Sequence, residues 1–468
     1  MSDAASASLR DVKELEAANT STAASASAAE TLPPRKDAYY SLFVITVVVM
    51  FTVLDRTILS LLIEPIKQDF GISDTQAALL LGAAFSLPYG IVGVAVGRLA
   101  DHLNRRNIIA ASCAFWSAAT MACGMAQGFV SLLFARMGIG AGESGYGPAA
   151  WSIATDNWPR EKVAFATGVM GIGATAGMGL AFFLGGTVLL FVEGLAPVEV
   201  PLIGVIRSWQ WAFFLVGAPG LLWALVVLTS KEPPRRGLAA GQKAEKVPVA
   251  ETARWIMDDW RVYLATVGGM AIKAMLLAGP AAWGATFVHR EYGWELSQVG
   301  LVKGAITLVV SPLGLLAGAK VSEIWTKRGR ADANLRIVFY GLLATLPLHI
   351  TAYLMPNAWG YFAVYSIAGF IGALGFGPSV AAFQLVTPNR MRGQMGALVQ
   401  FCNNVLAFAI SPLIIALFTD YLFGSEGDLQ YSIVLNTIIM GGIAVIVIGQ
   451  GLKPYARSYE RALREFAS

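Results

Sequence analysis

The chain has few charged residues, few cysteines and few histidines. Charged residues make up 14% of its 468 residues, well below the roughly 25% of an average soluble domain, so a soluble globular protein is excluded. Cys113, Cys123 and Cys402 are scattered through apolar runs, which is not the spacing of a disulfide framework or a metal site. The three histidines are also far apart in the sequence and offer no metal-ligand pattern. We therefore expect no metal and no cofactor.

Apolar residues dominate instead, since 56% of the residues are hydrophobic. A helix needs about 20 mainly apolar residues to cross a bilayer, and twelve runs of this kind are present. The sequence therefore predicts an all-α membrane protein with twelve transmembrane helices, numbered here as spans 1 to 12. Their predicted extents are 39–63, 75–97, 107–126, 129–157, 162–191, 208–229, 260–288, 297–321, 335–354, 358–386, 394–421 and 430–451.

Lys and Arg residues are concentrated in both tails and in every second loop, whereas the other loops contain only Lys67, Arg207 and Arg290. Because cytoplasmic loops are enriched in Lys and Arg, we expect both termini to be cytoplasmic, in a multi-pass protein of the plasma or inner membrane. Residues 1–37 are rich in Ala and Ser and lack the apolar core of a signal peptide. We expect them to form a disordered cytoplasmic tail.

The two halves of the chain share a motif at a fixed offset. The residues G-Y-G-P at 145–148 return as G-F-G-P at 375–378, and basic residues follow both motifs at the same offset. This repeat predicts two pseudo-symmetric six-helix bundles, a layout found in one large class of secondary transporters. The predicted units are the bundles 38–230 and 260–452, the cytoplasmic linker 231–259 between them and the cytoplasmic tail 453–468.

Three ionisable residues lie deep inside predicted spans of the first half. Asp55 and Arg56 are adjacent in span 1, and Glu143 lies in span 4. One charge at the centre of a bilayer costs about 2.5 to 3.5 kcal/mol on an insertion scale, and such residues normally face a cavity and act on substrate or protons. The repeat places Ala373 where the first half has Glu143, so duplication does not explain this carboxylate. We expect it to serve function or charge pairing.

The loop after span 2, residues 97–106, reads G-R-L-A-D-H-L-N-R-R. It resembles the signature G-x-x-x-D-R-x-G-R-R of the major facilitator superfamily, although His102 replaces a cation and Asn104 replaces a glycine. Asn tolerates the left-handed turn needed there. The resemblance implies a cytoplasmic gate, in which the acid caps a helix N-terminus and the arginines hold helix C-termini; the alternative is that these cations only set the topology. The gate residues in this chain are Gly97, Asp101, Arg105 and Arg106.

Spans 1 and 4 are neighbours in that superfamily, which would place Glu143 near Arg56, with Asp55 about 100° away around the same helical turn. Two carboxylates that share one guanidinium form a proton site, because desolvation raises the proton affinity of a buried acid and the arginine opposes this effect. Protonation of one acid would free the arginine to bind an anionic headgroup. The alternative is a static charge network that stiffens the bundle.

Two stretches, L-D-R-T at 54–57 and G-E-S-G-Y-G-P at 142–148, resemble the spinster subfamily, which usually has alanine where this chain has Ser144. That resemblance implies a proton-linked carrier of amphipathic lipids such as lysophospholipids or sphingosine phosphates. It also implies that three residues couple protons and bind the headgroup. These residues are Asp55, Arg56 and Glu143.

Other polar and aromatic residues within the spans are candidates for the wall of a substrate cavity. Lys273 is the better candidate of two lysines in the second half, because Lys303 lies near enough to a helix end to extend its amine to the interface. Arg136 precedes spaced glycines in a second superfamily-like pattern, which we interpret as helix packing. The candidate cavity residues are Tyr89, Tyr146, Lys273, Trp283, Gln400 and Asn403.

These features predict a secondary active transporter, not an enzyme, that couples protons to a lipid-like substrate by alternating access. The phosphate-binding pattern G-x-x-x-x-G-K-[ST] is absent, which disfavours primary transport. One alternative is a proton-coupled transporter of a small organic anion or drug. Another is an integral membrane enzyme that modifies lipid, but no nucleophile with a base is apparent. The expected partners are the substrate, protons and membrane lipids, without nucleic acid, and we expect a monomer.

Overall fold

Twelve membrane-spanning segments are present in the computed structural model, which describes residues 33–100, 103–192, 194–201, 204–235 and 248–466. Eleven helices in these ranges are long and apolar enough to cross a bilayer. Span 4 is divided into two shorter helices, so the prediction of twelve spans is confirmed. In chain order the spans are Arg35–Phe70, 74–100, Arg105–Gly124, 129–157, Arg160–Val192, Ser208–Thr229, Trp260–Tyr292, Leu296–Lys327, Ala333–Tyr353, Ala358–Leu385, Arg392–Phe423 and Leu429–Phe466.

Spans 1 and 12 are longer than the apolar runs predict. Span 1 ends at Gly71, whose left-handed backbone (φ 62°) stops the helix without a steric penalty. Span 12 continues as a helix to Phe466, so residues 453–466 of the predicted cytoplasmic tail are helical. Arg461 in this extension contacts Asp259 at 3.2 Å. The predicted tail 1–37 lies outside the described residues except for its last five positions.

Several spans contain breaks or π-helical turns. Span 4 consists of Phe129–Glu143 and Tyr146–Asn157, and span 10 of Ala358–Leu374 and Phe376–Leu385. These breaks fall at the two copies of the repeated G-x-G-P motif. Turns with π-helical hydrogen bonding occur in spans 2, 7 and 11, and such turns are frequent at functional sites. The π-helical segments are Leu79–Ala83, Leu264–Gly268, Asn403–Ile410 and Phe418–Phe423.

Short elements connect the spans at the two ends of the molecule. We call the end that carries Arg35 and Phe466 the terminal face and the other end the opposite face. At the opposite face, strands Val198–Val200 and Gly204–Ile206 form an antiparallel hairpin between spans 5 and 6. At the terminal face, the helix Val249–Asp258 lies within the predicted linker and packs against the start of span 7.

The buried hydrophobic residues form two clusters. The larger one fills the first half, spans 1 to 6, and continues into the second half, spans 7 to 12, through residues such as Trp283, Phe287 and Ile415 near the opposite face. The smaller one occupies the terminal-face part of the second half and includes Tyr263 and Val338. The two halves therefore share a core toward the opposite face and have separate cores toward the terminal face.

Glycines allow spans 5 and 8 to approach closely across the boundary between the halves. A Cβ atom added to Gly186 would lie 2.6 Å from the carbonyl oxygen of Ser297, and one added to Gly179 would lie 2.6 Å from the amide nitrogen of Leu308. Small residues at helix contacts permit such backbone approach in membranes. Gly179 and Gly186 therefore serve the packing of spans 5 and 8, whereas Gly171 has open space beside it.

Candidate functional site

The centre of the first half contains an ion pair between spans 1 and 4. Arg56 contacts Oε2 of Glu143 through Nη2 at 2.7 Å and donates a hydrogen bond to the same oxygen from Nε at 2.8 Å. The guanidinium carbon also lies 4.3 Å from the ring centre of Phe85 and 5.1 Å from that of Tyr89. Glu143 is fully buried, but the Arg56 side chain is 25% exposed. The arginine is thus accessible while its carboxylate partner is not.

The break in span 4 places Glu143 in this position. A Cβ atom on Gly145 would lie 2.5 Å from Ser112 Oγ, and one on Gly142 would lie 2.7 Å from the ring of Phe115. Only glycine lets span 4 press this closely against span 3. Glu143 is the last residue of the first helix in span 4, and it is held between packed backbones with Oε1 lacking a hydrogen-bond partner.

Asp55 does not share Arg56 with Glu143, so this part of the predicted arrangement is wrong. The Asp55 carboxyl group is buried and lies beside Trp116 and Thr120 of span 3, and its Oδ1 has no hydrogen-bond partner. Consecutive helical residues point about 100° apart, and this rotation directs Asp55 into the interior of the bundle. The three predicted charges therefore do not meet in one open chamber.

Arg136 is a fourth charged residue of this site, and the sequence reasoning assigned it to packing alone. It is buried and donates hydrogen bonds to the carbonyl oxygens of Asp55 (3.2 Å) and Leu80 (3.3 Å). Its guanidinium carbon lies 5.9 Å from the ring centre of Phe85, on which Arg56 also stacks. Two acids and two arginines thus occupy one polar centre, whose formal charges cancel. The sequence did contain a signal for this role of Arg136, because an arginine inside a span needs compensating partners.

The described gate residues make their contacts within the first half and with the segment that follows span 6. Buried Arg105 forms ion pairs with Asp156 at the end of span 4 and with Glu232 after span 6, the latter at 2.7 Å. The backbone N–H of Arg106 donates to Glu232 at 2.9 Å. Gly97 faces Pro148, and Asp101 lies outside the described residues. In this conformation the described contacts of Arg105 and Arg106 do not join the two halves.

The candidate cavity residues lie in different places, two of them near Arg56 in the first half and the others in the second half. Tyr89 lies beside Arg56, and the Tyr146 hydroxyl lies 3.5 Å from Thr52 Oγ1. Trp283 is wrong as a cavity residue, because it is fully buried and donates its indole N–H to the carbonyl oxygen of Pro412 in span 11. Gln400 is exposed and Asn403 half-buried in span 11, and Lys273 is buried at the break in span 10.

Lys303 does not extend to the interface, so that interpretation is also wrong. The residue is 1% exposed. Its amine donates to the carbonyl oxygen of Ala281 at 3.2 Å and lies 4.3 Å from the ring centre of Phe182 in span 5. Span 5 packs against span 8 and shields the Lys303 side chain from water.

A cluster of ion pairs closes the opposite face, and the sequence reasoning missed it. Asp74 forms ion pairs with Lys67 and, at 2.9 Å, with Arg290. Arg290 also binds Glu64 at 2.9 Å, and Glu426 contacts Lys67 at 3.0 Å. Asp420 accepts two further hydrogen bonds from Thr75 nearby. We call Glu64, Lys67, Asp74, Arg290 and Glu426 the opposite-face cluster.

This cluster determines how the halves are joined. Among the described residues, the ion pairs between the first and the second half all belong to the opposite-face cluster. A cavity of about 170 Å³ lies beside it, lined by residues that include Glu64, Pro65 and His289. Together with the shared core near that face, these contacts hold the opposite side of the molecule closed. In the described part of the chain, no three His, Cys, Asp or Glu residues are grouped to hold a metal ion.

Comparisons with known proteins agree with this architecture. Residues 45–412 match the family described as Major Facilitator Superfamily. The chain is 26% identical to an MFS-type efflux pump of Mycolicibacterium smegmatis over 84% of this chain and 87% of that protein. It is 25% identical to protein spinster homolog 1 of Xenopus tropicalis over 79% of this chain and 70% of that protein.

A solved structure shares the fold across nearly the whole chain. It is the crystal structure of a bacterial homolog of the human lysosomal transporter spinster, in an inward-facing and unoccupied conformation. The TM-score is 0.74 at 24% identity, and the match covers 92% of this chain and 99% of that protein. The proteins matched here are transporters, not enzymes.

Proposed function

Because this chain belongs to the Major Facilitator Superfamily and is a multi-pass membrane transporter, we propose that it couples protons to the movement of an amphipathic, lipid-like anion. The observation that carries this proposal is the ion pair between Arg56 and Glu143. A buried carboxylate paired with an accessible arginine in the middle of a bilayer is costly, and such pairs normally serve protons or substrate. The likeness to spinster proteins supports the same class of function.

The geometry of the pair supports a proton-dependent release of Arg56. Both contacts from the arginine reach Oε2 of Glu143, whereas Oε1 has no partner. A proton that binds Oε1 neutralises the carboxylate and removes the charge that holds the guanidinium. Arg56 then keeps only its aromatic contacts with Phe85 and Tyr89 and is available to an anionic group. Loss of the proton restores the pair and displaces the anion.

An amphipathic substrate is supported by the surroundings of Arg56. The aromatic rings of Phe85 and Tyr89 flank the guanidinium, and the exposed Phe401 of span 11 approaches span 2 at Gly90. A charged headgroup at the arginine would therefore lie beside apolar surface suited to an acyl chain. Lysophospholipids and sphingosine phosphates have this combination of groups.

A small organic anion or drug is the second candidate substrate, because the chain is similar both to an efflux pump and to a hexuronate transporter of Bacillus subtilis. The same arginine can hold the anionic group of either kind of molecule. The third hypothesis, a membrane enzyme that modifies lipid, is set aside because the family consists of transporters.

The orientation and the working cycle complete the proposal. We assign the terminal face to the cytoplasm on the basis of its Lys and Arg residues, in the plasma or inner membrane, and we expect a monomer. The opposite-face cluster then closes the outer side, and the conformation described here opens toward the cytoplasm. Rocking of the halves around the site between them would give alternating access.

The test of coupling is Glu143→Gln in proteoliposomes with an imposed pH gradient. Glutamine keeps a hydrogen-bond acceptor for Arg56 but cannot titrate, so we expect transport driven by the gradient to fall to the level of empty liposomes. Exchange of substrate without a gradient should continue. A matched control is Glu323→Gln, an exposed carboxylate paired with Lys320 and Lys327 at the terminal face. Gradient-driven transport by Glu143→Gln at the wild-type rate would refute proton coupling through this residue.

A further inference from the structure

We propose that Lys273, together with the start of the helix Phe376–Leu385, binds the anionic group of the transported molecule in the second half. This inference rests on the proposed transport function and assigns to it a second anion-binding residue. The chemical class of the group is a phosphate or a carboxylate.

The two halves present the same construction at their broken spans. In the first half, Arg56 extends from span 1 to Glu143 at the break in span 4. In the second half, Lys273 extends from span 7 to Gly375 at the break in span 10, with its amine nitrogen 2.7 Å from the position of an added Cβ. Spans 1 and 7 are the first spans of their halves. A cation thus faces the G-x-G-P break in both halves, partly exposed in the first and buried in the second.

The halves differ in what the cation meets. Arg56 has the carboxylate of Glu143, but the equivalent position in the second half is Ala373. Lys273 is 8% exposed, and within the described residues its amine has neither a hydrogen-bond acceptor nor an ion-pair partner. Buried charges in proteins are normally paired, because an isolated ammonium in a medium of low polarity is strongly unfavourable. The second half therefore supplies no counter-charge to this amine, and an external anion would compensate it.

The break in span 10 contributes to the same site. Gly375 is the residue before the helix Phe376–Leu385, which has ten residues and no side-chain cap at its N-terminus. Helix N-termini present free N–H groups and a partial positive charge that favour anions. Because Pro378 has no N–H, the groups offered here are the N–H groups of Phe376 and Gly377. Open space lies beside Gly377, and the amine of Lys273 lies beside the preceding Gly375. Discontinuous helices in matching positions of two halves are typical of substrate sites in secondary transporters.

This arrangement assigns different tasks to the two cations. Arg56 is released only when Glu143 takes up a proton, whereas Lys273 has no competing carboxylate in the protein. An anionic group can therefore bind Lys273 first and reach Arg56 after protonation. The second half would provide the basal attraction for anions, and the first half would provide the proton dependence.

The test uses the full-length protein in detergent and measures ligand-induced shifts of the unfolding temperature. Three probes separate the sources of affinity: oleoyl lysophosphatidate, monooleoylglycerol with the same chain but no phosphate, and glycerol phosphate without the chain. The variants are Lys273→Met, which removes the charge, and Lys273→Arg, which keeps it. Lys303→Met is the matched control, since Lys303 is also a buried lysine of the second half but lies away from the break.

We expect lysophosphatidate or glycerol phosphate to stabilise the wild type more than monooleoylglycerol does. The phosphate-dependent part should be lost in Lys273→Met, with at least a tenfold weaker apparent affinity, and retained in Lys273→Arg and Lys303→Met. Stabilisation by lysophosphatidate alone would indicate a lipid, and stabilisation by glycerol phosphate a small anion. If Lys273→Met is too unstable to measure, Gly375→Ala crowds the amine and should weaken the same binding.

Two outcomes would overturn this inference. One is an unchanged phosphate-dependent shift in Lys273→Met, and the other is an equal loss in Lys303→Met. Failure of the proposed function gives a different result, namely transport that ignores the pH gradient in wild-type proteoliposomes while the phosphate-dependent binding still requires Lys273.

Discussion

Arg56 is held by a carboxylate on one side and by two aromatic rings on the other. A guanidinium can make both contacts at once, because it is planar and carries several donors in a fixed geometry. The residue is partly exposed, whereas Glu143, Asp55 and Arg136 around it are buried. Among the four charges of this centre, Arg56 is therefore the one that a substrate can reach directly.

Replacing Arg56 with Ala should weaken the binding of anionic substrates more than that of zwitterionic ones. A hydrogen bond to a charged group contributes about 1.5 to 3 kcal/mol, which corresponds to roughly ten- to a hundredfold in affinity. Binding of lysophosphatidate and of lysophosphatidylcholine to the purified variant would measure this difference. Equal losses for both lipids would contradict the role of Arg56 in charge recognition.

Individual side chains also show where sequence reasoning is limited. The pairing of Arg56 with Glu143 was predicted from the superfamily resemblance, and the structure contains it. The direction of the Asp55 side chain was not predicted, because the sequence does not define how span 1 is rotated relative to spans 3 and 4. Lys303 was misjudged for a related reason, since its distance from a helix end says nothing about the coverage by Phe182 of span 5.

At the scale of helices, spans 5 and 8 form the contact that keeps the halves together near the opposite face. Their backbones approach so closely that glycine is required at Gly179, Gly186 and Gly304. A larger side chain there must separate the helices or distort them, and overpacking of this kind costs about 1 to 3 kcal/mol.

Gly186→Leu should therefore lower the melting temperature in detergent and open the opposite face. We expect a cysteine introduced at that face to react faster with a water-soluble maleimide in this variant. Gly171→Leu on the same span is the control, because no atom lies within 4 Å of a Cβ at Gly171. Similar effects of the two substitutions would show that the contact with span 8 is not responsible.

The spans themselves were predictable, whereas their long-range contacts were not. Twelve apolar runs and the repeated motif are local properties of the sequence, whereas the breaks in spans 4 and 10 were not predicted. The opposite-face cluster joins residues from spans 1, 2 and 7 with Glu426 before span 12. The only signal was that Lys67 and Arg290 are rare cations on loops otherwise poor in them, and this does not identify their partners.

In the whole molecule, the ion pairs of the opposite-face cluster stabilise the conformation that is closed at that face. Asp74 is buried and lies between two cations, Lys67 and Arg290, one from each half. Removing one member of a buried ion pair typically costs about 3 to 5 kcal/mol, because the remaining charge loses its partner. Such a cost, applied only when the opposite face is closed, is large enough to invert a two-state population.

Asp74→Asn should thus shift the protein toward a state that is open at the opposite face. Pulsed electron paramagnetic resonance, with one spin label on each half at that face, would report longer distances. Glu323→Gln serves as the control, since it removes an exposed pair within one half. Unchanged label distances in Asp74→Asn would show that the cluster does not select the conformation.

Span 1 connects the Arg56 site with a cavity at the opposite face, so a compound bound in that cavity could inhibit transport. Arg56 and Glu64 lie on this one helix, about 12 Å apart at a rise of 1.5 Å per residue, and Pro65 lies within the same helix. The 170 Å³ cavity beside Glu64 and Pro65 lies at the far end of the same rod. A compound bound in this cavity would restrain the helix, and it would slow transport without competing with the substrate for Arg56.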